Sequence, residues 1–297
     1  MNILTIEKRA QILHLLVEGN SMRATSRIAD VSINTVTKLL EDVGAACLEF
    51  HDATVRNIKS KRVQCDEIWA FCYSKEKNVA PEDKGILGHG DAYTWTAIDS
   101  DTKLAISWLV GRRDVEYAEA FTADLASRLA DRIQLTTDGY GVYVNAIEKA
   151  FAGAVDYAML VKVYEGMGAT DQRRYSPSRF VSADKRRING NPDMSDVSTS
   201  YVERQNLTMR MGMRRFTRLT NGFSKKIENL AHAVALHFVY YNFGRIHKTL
   251  RVTPAMEAGI SDHVWTLEEI ATLAKVEAPK KRGPYKKKND EIGRAHV

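Results

Sequence analysis

The clearest chemistry in the chain belongs to three acidic residues, Asp66, Asp138 and Glu203. Asp66 lies inside the strand-like run Arg62-Val63-Gln64-Cys65-Asp66-Glu67-Ile68-Trp69-Ala70-Phe71. Asp138 ends the run Ile133-Gln134-Leu135-Thr136-Thr137 and is followed at once by Gly139, and Glu203 opens an otherwise basic helix. Carboxylates brought into one place push one another toward protonation. A pair of divalent cations removes that cost, and two metals can clamp both the attacking and the leaving oxygen of a phosphoryl transfer. The trio therefore points to a nuclease or polynucleotidyl-transfer site.

Each acid also has a plainer reading. Strand alternation puts Asp66 and Glu67 on opposite faces, so only one of them is expected to point at the site, and the alternation does not choose between them. Asp138-Gly139 reads equally as a turn. Ser200-Tyr201-Val202-Glu203 has capping-box spacing, in which the Glu serves its own helix start. The company of Glu203 favours chemistry: Asn206, Leu207, Arg210 and Arg214 follow at helical spacing, stacking a cation on the side of the acid. His247 reads as a surface or capping residue, and Asp99 as part of a hairpin turn.

The elements that would carry these residues follow from pattern. Residues up to about 43 read as three short helices, with Ile6, Ala10, Leu13 and Val17 on one face of the first, the second over about 22–29 and the third over about 33–42. Ala29-Asp30-Val31-Ser32 has the form of a helix-turn-helix corner: Asp30 stands where a left-handed residue is needed, and Ser32 is a good N-cap. The exposed Asn34, Thr35, Thr37 and Lys38 of the third helix would then face a major groove. From about residue 61 strands and helices alternate: the Asp66 strand, a hairpin of 92–99 and 104–110, a helix with Ala118, Phe121, Leu125 and Leu129 on one face, the Asp138 strand, a helix near 142–151 and a strand near 157–163. That order predicts an α/β mixed sheet flanked by helices, with Asp138 at the carboxyl end of a parallel strand, where such sheets place ligands. Residues 166–200 read as a polar, irregular insertion, basic around Arg173-Arg174 and Lys185-Arg186-Arg187. A long helical region is expected from Tyr201, interrupted near Asn221-Gly222 and burying Ile227, Leu230, Val234, Phe238 and Tyr241. One more short helix is expected over 265–276.

With 297 residues, 44% hydrophobic and 27% charged, the chain has the composition of a soluble globular protein with room for accessory domains. No apolar run is long enough to span a membrane, and the start lacks a signal-peptide core. Cys47, Cys65 and Cys72 form no C-x-x-C, which argues against a zinc ribbon or a disulfide framework and fits a reducing, cytosolic setting. The net charge of +6 is unevenly spread: ten Lys/Arg stand against two Glu between Glu203 and Arg251, and six more Lys/Arg lie within 280–288. Clustering of this kind favours a polyanionic partner. The basic tail suits contact with phosphates irrespective of sequence, and residues 291–297 read as a translated sequencing adapter rather than native protein.

Together these segments resemble the DDE-type transposases of bacterial insertion sequences, which share a ribonuclease-H-like core with retroviral integrases. The resemblance rests on Cys65-Asp66-Glu67-Ile68-Trp69, on Thr137-Asp138-Gly139-Tyr140, and most specifically on Ser198-Thr199-Ser200-Tyr201-Val202-Glu203-Arg204-Gln205-Asn206. Arg210, seven residues after the acid, and Tyr241-Asn242-Phe243-Gly244-Arg245-Ile246-His247-Lys248-Thr249-Leu250 extend it. The resemblance implies a helix-turn-helix domain over 1–56, a ribonuclease-H-like catalytic domain over 57–255 with the insertion 166–200 looped out of it, a helical segment over 256–278 and a basic tail over 279–297. It implies that Asp66, Asp138 and Glu203 bind two Mg²⁺ or Mn²⁺ ions and that Arg210 positions a phosphate or terminal base. Arg204, Arg214 and Arg215 would contact DNA. The expected partners are double-stranded DNA, as terminal inverted repeats and target, and a second copy of the chain in a homodimer or larger synaptic complex. The setting would be the nucleoid of a bacterial cytoplasm. A repressor that binds DNA without cutting it, or a structure-selective nuclease, are the alternatives.

Overall fold

The alternating run around Asp66 forms β1 (Arg62–Cys72), and its partners along the chain are β2 (Gly90–Asp99), β3 (Ala105–Gly111), β4 (Ile133–Asp138), β5 (Val155–Tyr164) and β6 (Phe180–Asn189). The computed structural model describes residues 4–164, 180–217 and 220–275. The strands form one sheet in the order β3-β2-β1-β4-β5-β6. β1, β4 and β5 are mutually parallel, while β2, β3 and β6 pair antiparallel to their neighbours. Helices cover both faces. Against one lie α4 (Val115–Arg128) and α5 (Val142–Phe151), where buried Trp95 meets Phe121 and Tyr143. Against the other lie α6 (Ser200–Gly212) and α7 (Ile227–Val239), where Trp108 stacks on Phe238 at 4.7 Å. This mixed sheet flanked by helices is the α/β architecture expected from the sequence.

The N-terminal helices α1 (Ile6–Val17), α2 (Met22–Ile28) and α3 (Ile33–Thr54) begin at the side-chain caps Thr5, Ser21 and Ser32. Asp30 has φ 50°, the left-handed corner that its short polar side chain tolerates. α3 is 22 residues long, well beyond the expected end near residue 42. Its apolar stripe continues through Val43, Cys47 and His51, and this second half packs along α7, with Gly44 allowing close approach to His232. Two short helices, α8 (Pro254–Glu257) and α9 (Leu267–Leu273), close the described chain, and α9 packs on α1 behind a Thr266/Glu269 capping box. Ile12 and Leu40 of the first helices share one continuous hydrophobic cluster with Trp95 of the sheet.

Two further segments differ from expectation. Within 166–200, Phe180–Asn189 is not irregular: it is an edge strand paired with β5. Its side chains are exposed on both faces apart from Asn189, so it carries no apolar alternation for a sequence pattern to detect. Lys185, Arg186 and Arg187 lie on it, while Arg173 and Arg174 fall outside the described residues. The helical region from Tyr201 breaks earlier than Asn221-Gly222, ending at Gly212 and resuming at Ile227. The tail over 279–297, including 291–297, lies outside the described residues. Among the described residues no helix is long and apolar enough to cross a membrane.

Candidate active site

β1 and β4 are paired in parallel only as far as Cys65 and Thr137. The next residue on each strand is an aspartate, so the two chains deliver Asp66 and Asp138 side by side where their ladder stops. Beyond that point β1 runs on with β2 as its strand partner, and its edge toward β4 is open beside Asp66 until an isolated bridge from Cys72 to Ser224 near its end. Asp66 faces the α6 side of the sheet and Glu67 the α5 side, as alternation requires, with cross-strand partners Thr96 and Trp95. Yet oxygens of Asp66, Glu67 and Asp138 all lie within 4.8 Å of one another. The expectation that only one of Asp66 and Glu67 can reach the site is therefore corrected. Alternation governs where a Cβ points, but at an open strand edge the longer Glu side chain brings its carboxylate back to the cluster.

Each carboxylate is held. Asp66 Oδ1 accepts from the Glu67 backbone N–H at 2.9 Å, and its Oδ2 accepts from Asn206 Nδ2 at 2.8 Å. Asp138 Oδ1 accepts from the Tyr140 N–H at 2.9 Å, the local turn bond an aspartate makes two residues on. Glu67 Oε2 accepts from Arg113 Nε at 3.0 Å. Burial, then Glu67 and Asp138, push the Asp66 carboxyl up to about 7, with Glu203 adding to the rise. Burial also raises Glu67. A site that resists holding its own negative charge is short of cations, and a hard divalent ion with oxygen ligands suits it. The chemistry of the donor set thus fits Mg²⁺ or Mn²⁺.

Glu203 stands apart from that group. Its Oε1 accepts from Thr199 Oγ1 at 2.5 Å and forms an ion pair with Lys162 of β5. The capping box over residues 200–203 does not form: Thr199 is the N-cap and its side chain caps no N–H, while the Ser200 N–H donates to Ser198 Oγ at 3.2 Å. The Tyr201 and Val202 N–H groups are instead satisfied by Gln64 Oε1, at 2.8 and 3.2 Å. Gln64 sits two residues before Asp66 on β1, so one buried amide registers the helix of Glu203 against the strand of Asp66.

Among the other expected residues, Arg210 is half-buried on α6, and Arg204 and Arg214 are exposed. Arg215 turns inward, with Nε on Ser224 Oγ at 2.7 Å, and desolvation lowers its guanidinium to about 10. Asn34 and Lys38 are exposed on α3, and Thr35 and Thr37 are half-buried there. Thr35 meets Ser32, Thr37 Oγ1 donates to the Ile33 carbonyl, and Lys38 pairs with Asp42. Asp99 serves its hairpin, accepting from the Asp101 and Thr102 N–H groups. Sequence reasoning missed Gln64, Lys162 and Arg113, none of which carries a local signal. Asn206 was legible as part of the Glu203 helix face but not as the partner of Asp66.

No family model matches the sequence, and no curated protein matches it. Among solved structures the chain is similar to a pre-cleavage Mos1 transpososome, at 10% identity and a TM-score of 0.22 over 53% of this chain and 60% of the other. It is also similar to the Mos1 mariner paired-end complex with Mn, at 11% identity and a TM-score of 0.21 over 51% and 58%. For the Mos1 strand transfer complex the values are 10% and 0.24 over 94% and 81%. The chain thus spans about three fifths of the first of these proteins. Similarity at this level carries no functional argument, and the function is read from the site itself.

Proposed function

We propose that this chain is a DDE-type transposase of an insertion sequence, binding terminal inverted repeats and carrying out DNA cleavage and strand transfer that depend on two Mg²⁺ or Mn²⁺ ions. The observation that carries the reading is the meeting of Asp66 and Asp138 at the end of two parallel strands, with Asn206 of the Glu203 helix bonded to Asp66. When bound, the divalent ions supply charge stabilisation at the attacking and leaving oxygens of a phosphodiester.

The residues of the chain do the positioning. Asn206 holds the Asp66 carboxylate in one rotamer, the Tyr140 N–H does the same for Asp138, and Gln64 registers α6 against β1. Glu203 completes the acidic set by leaving Lys162. Arg210, on the same helix, would engage a phosphate, with Arg204 and Arg214 on the exposed side. In the first step a water oxygen attacks a phosphorus at the element's end, breaking its bond to the 3′ oxygen, which leaves as a hydroxyl. In the second that 3′ oxygen attacks a target phosphorus and displaces the target's own 3′ oxygen. One phosphodiester forms for one lost, so no ATP is required. α3 would enter the major groove of the repeat through Asn34, Thr35, Thr37 and Lys38, and pairing two ends requires at least two copies of the chain.

A second reading, a DNA-binding regulator without cleavage, is favoured by one observation, the engagement of Glu203 by Lys162. Asp138→Asn separates the two. With Mg²⁺ and repeat-ended oligonucleotides, the transposase reading expects strand transfer to fall at least about 10³-fold while repeat binding in a gel shift stays unchanged. Transfer at the wild-type rate would remove the carboxylates from the reaction.

A further inference from the structure

We infer that in the DNA-free protein the third carboxylate ligand of the divalent-cation site is Glu67, beside Asp66 and Asp138, and that Glu203 is held in reserve by Lys162. The inference rests on the proposed transposase only for the reaction served; the ion site itself stands on its own geometry.

Three observations converge on Glu67. Its carboxylate belongs to the group whose oxygens lie within 4.8 Å of one another, and Glu203 does not. The Glu67 side chain is only 2% exposed, and its Oε1 is buried with no hydrogen-bond partner. A buried carboxylate oxygen left bare is costly, which makes it a site awaiting a ligand. The opposite oxygen is pinned: Arg113 Nε bonds Oε2, the Arg113 guanidinium lies 3.7 Å over the Tyr140 ring, and the Tyr140 hydroxyl donates to the Arg113 carbonyl. Tyr140 in turn holds Asp138 through its own N–H. Arg113 therefore fixes Glu67 through Oε2 and leaves Oε1 outside that bond, with the buried Tyr143 hydroxyl beside the carboxylate.

Glu203 has the opposite surroundings. Its Oε1 is engaged by both Thr199 and Lys162. For Glu203 to ligate, Lys162 has to leave, and a DNA phosphate is the anion that would draw the ammonium away. The acidic set then changes with the state of the protein: Asp66, Glu67 and Asp138 before DNA, with Glu203 joining after it.

The competing role for Glu67 is a purely structural ion pair with Arg113 beside the buried Tyr143 hydroxyl. Mn²⁺ titration of the full, DNA-free chain, with free Mn²⁺ counted by electron paramagnetic resonance, separates the two without any activity measurement. Glu67→Gln and Asp138→Asn are each expected to weaken Mn²⁺ binding at least tenfold, and Glu203→Gln by less than about twofold. Wild-type affinity in a folded Glu67→Gln protein would overturn the inference, as would a loss on Glu203→Gln equal to that on Asp138→Asn. If Glu67→Gln does not fold, Arg113→Gln takes its place: releasing Oε2 is expected to tighten Mn²⁺ binding several-fold, and unchanged or weaker binding overturns the inference. Mn²⁺ binding through Glu67 in a protein that performs no strand transfer would sink the transposase reading and leave this one standing.

Discussion

Asn206 Nδ2 lies 2.8 Å from Asp66 Oδ2, and this bond ties the middle of α6 to β1 at the point where the sheet stops pairing. Asn206 is one helical turn beyond Glu203, so the bond also sets how far the Glu203 backbone stands from Asp66. The Asn206 Oδ1 is buried without a partner, which leaves the amide dedicated to the aspartate.

Removing that bond should be felt at the site. A hydrogen bond to a charged group contributes about 1.5–3 kcal/mol, so Asn206→Ala is expected to reduce strand transfer roughly 10- to 150-fold. Asn206→Asp, which places another carboxylate against Asp66, should be the more damaging change. Steady-state transfer rates with repeat-ended DNA measure both, and equal activity in the two variants would contradict this account.

Lys162 competes with cations for Glu203. Both side chains are partly exposed, at 27% and 44%, and such pairs contribute about 0.2–1 kcal/mol. Lys162→Gln is accordingly expected to lower the Mg²⁺ concentration for half-maximal cleavage by up to about fivefold. A higher Mg²⁺ requirement would show that Lys162 assists the acids rather than restraining Glu203.

The contact of α3 with α7 leaves no room for a side chain at Gly44. A Cβ there would meet His232 Cβ at 2.4 Å and the His232 carbonyl oxygen at 2.7 Å. Since backbone is part of the obstacle, relief needs the helices to separate. Gly44→Ala is expected to destabilise the protein by about 1–3 kcal/mol, read as a lower urea midpoint; an unchanged midpoint would mean the helices are free to part.

Stability in acid should depend on two buried imidazoles. His51 and His237 are lowered from 6.5 to about 3, each first by burial, with Arg128 next for His51 and Arg245 for His237. Between those values the unfolded chain binds protons that the folded one excludes, so stability is full above about 6.5 and is lost as pH falls toward 3. Asp66, raised from 3.8 to about 7, acts with the opposite sign, its contribution falling as pH rises through that range. Comparing variants at each pH separates them: His51→Gln and His237→Gln should flatten the fall in urea midpoint between pH 6.5 and 4. A slope identical to wild type would mean that neither ring resists protonation.

Local pattern was enough for most of the architecture. The 3.6-residue stripe of α4, the alternation of β1 and the cap at Ser32 are properties of neighbouring residues, and each appears where sequence spacing puts it. The same is true of Asp138 at the end of a parallel strand. By itself the sequence determined most of the elements and offered Asp66, Asp138 and Glu203 as the acids that could do chemistry. It did not determine which acids meet. β6 was invisible because a strand exposed on both faces has no apolar period, and the reach of Glu67 back to Asp66 arises only because β4 ends and leaves the strand edge open. The start of α6 looked like a self-sufficient cap, but its Tyr201 and Val202 N–H groups are satisfied by Gln64 from 137 and 138 residues earlier and its Ser200 N–H by Ser198, while Glu203 bonds Lys162. Such contacts depend on where folding puts a distant backbone, a quantity that no local spacing encodes, and so only the tertiary structure could decide them.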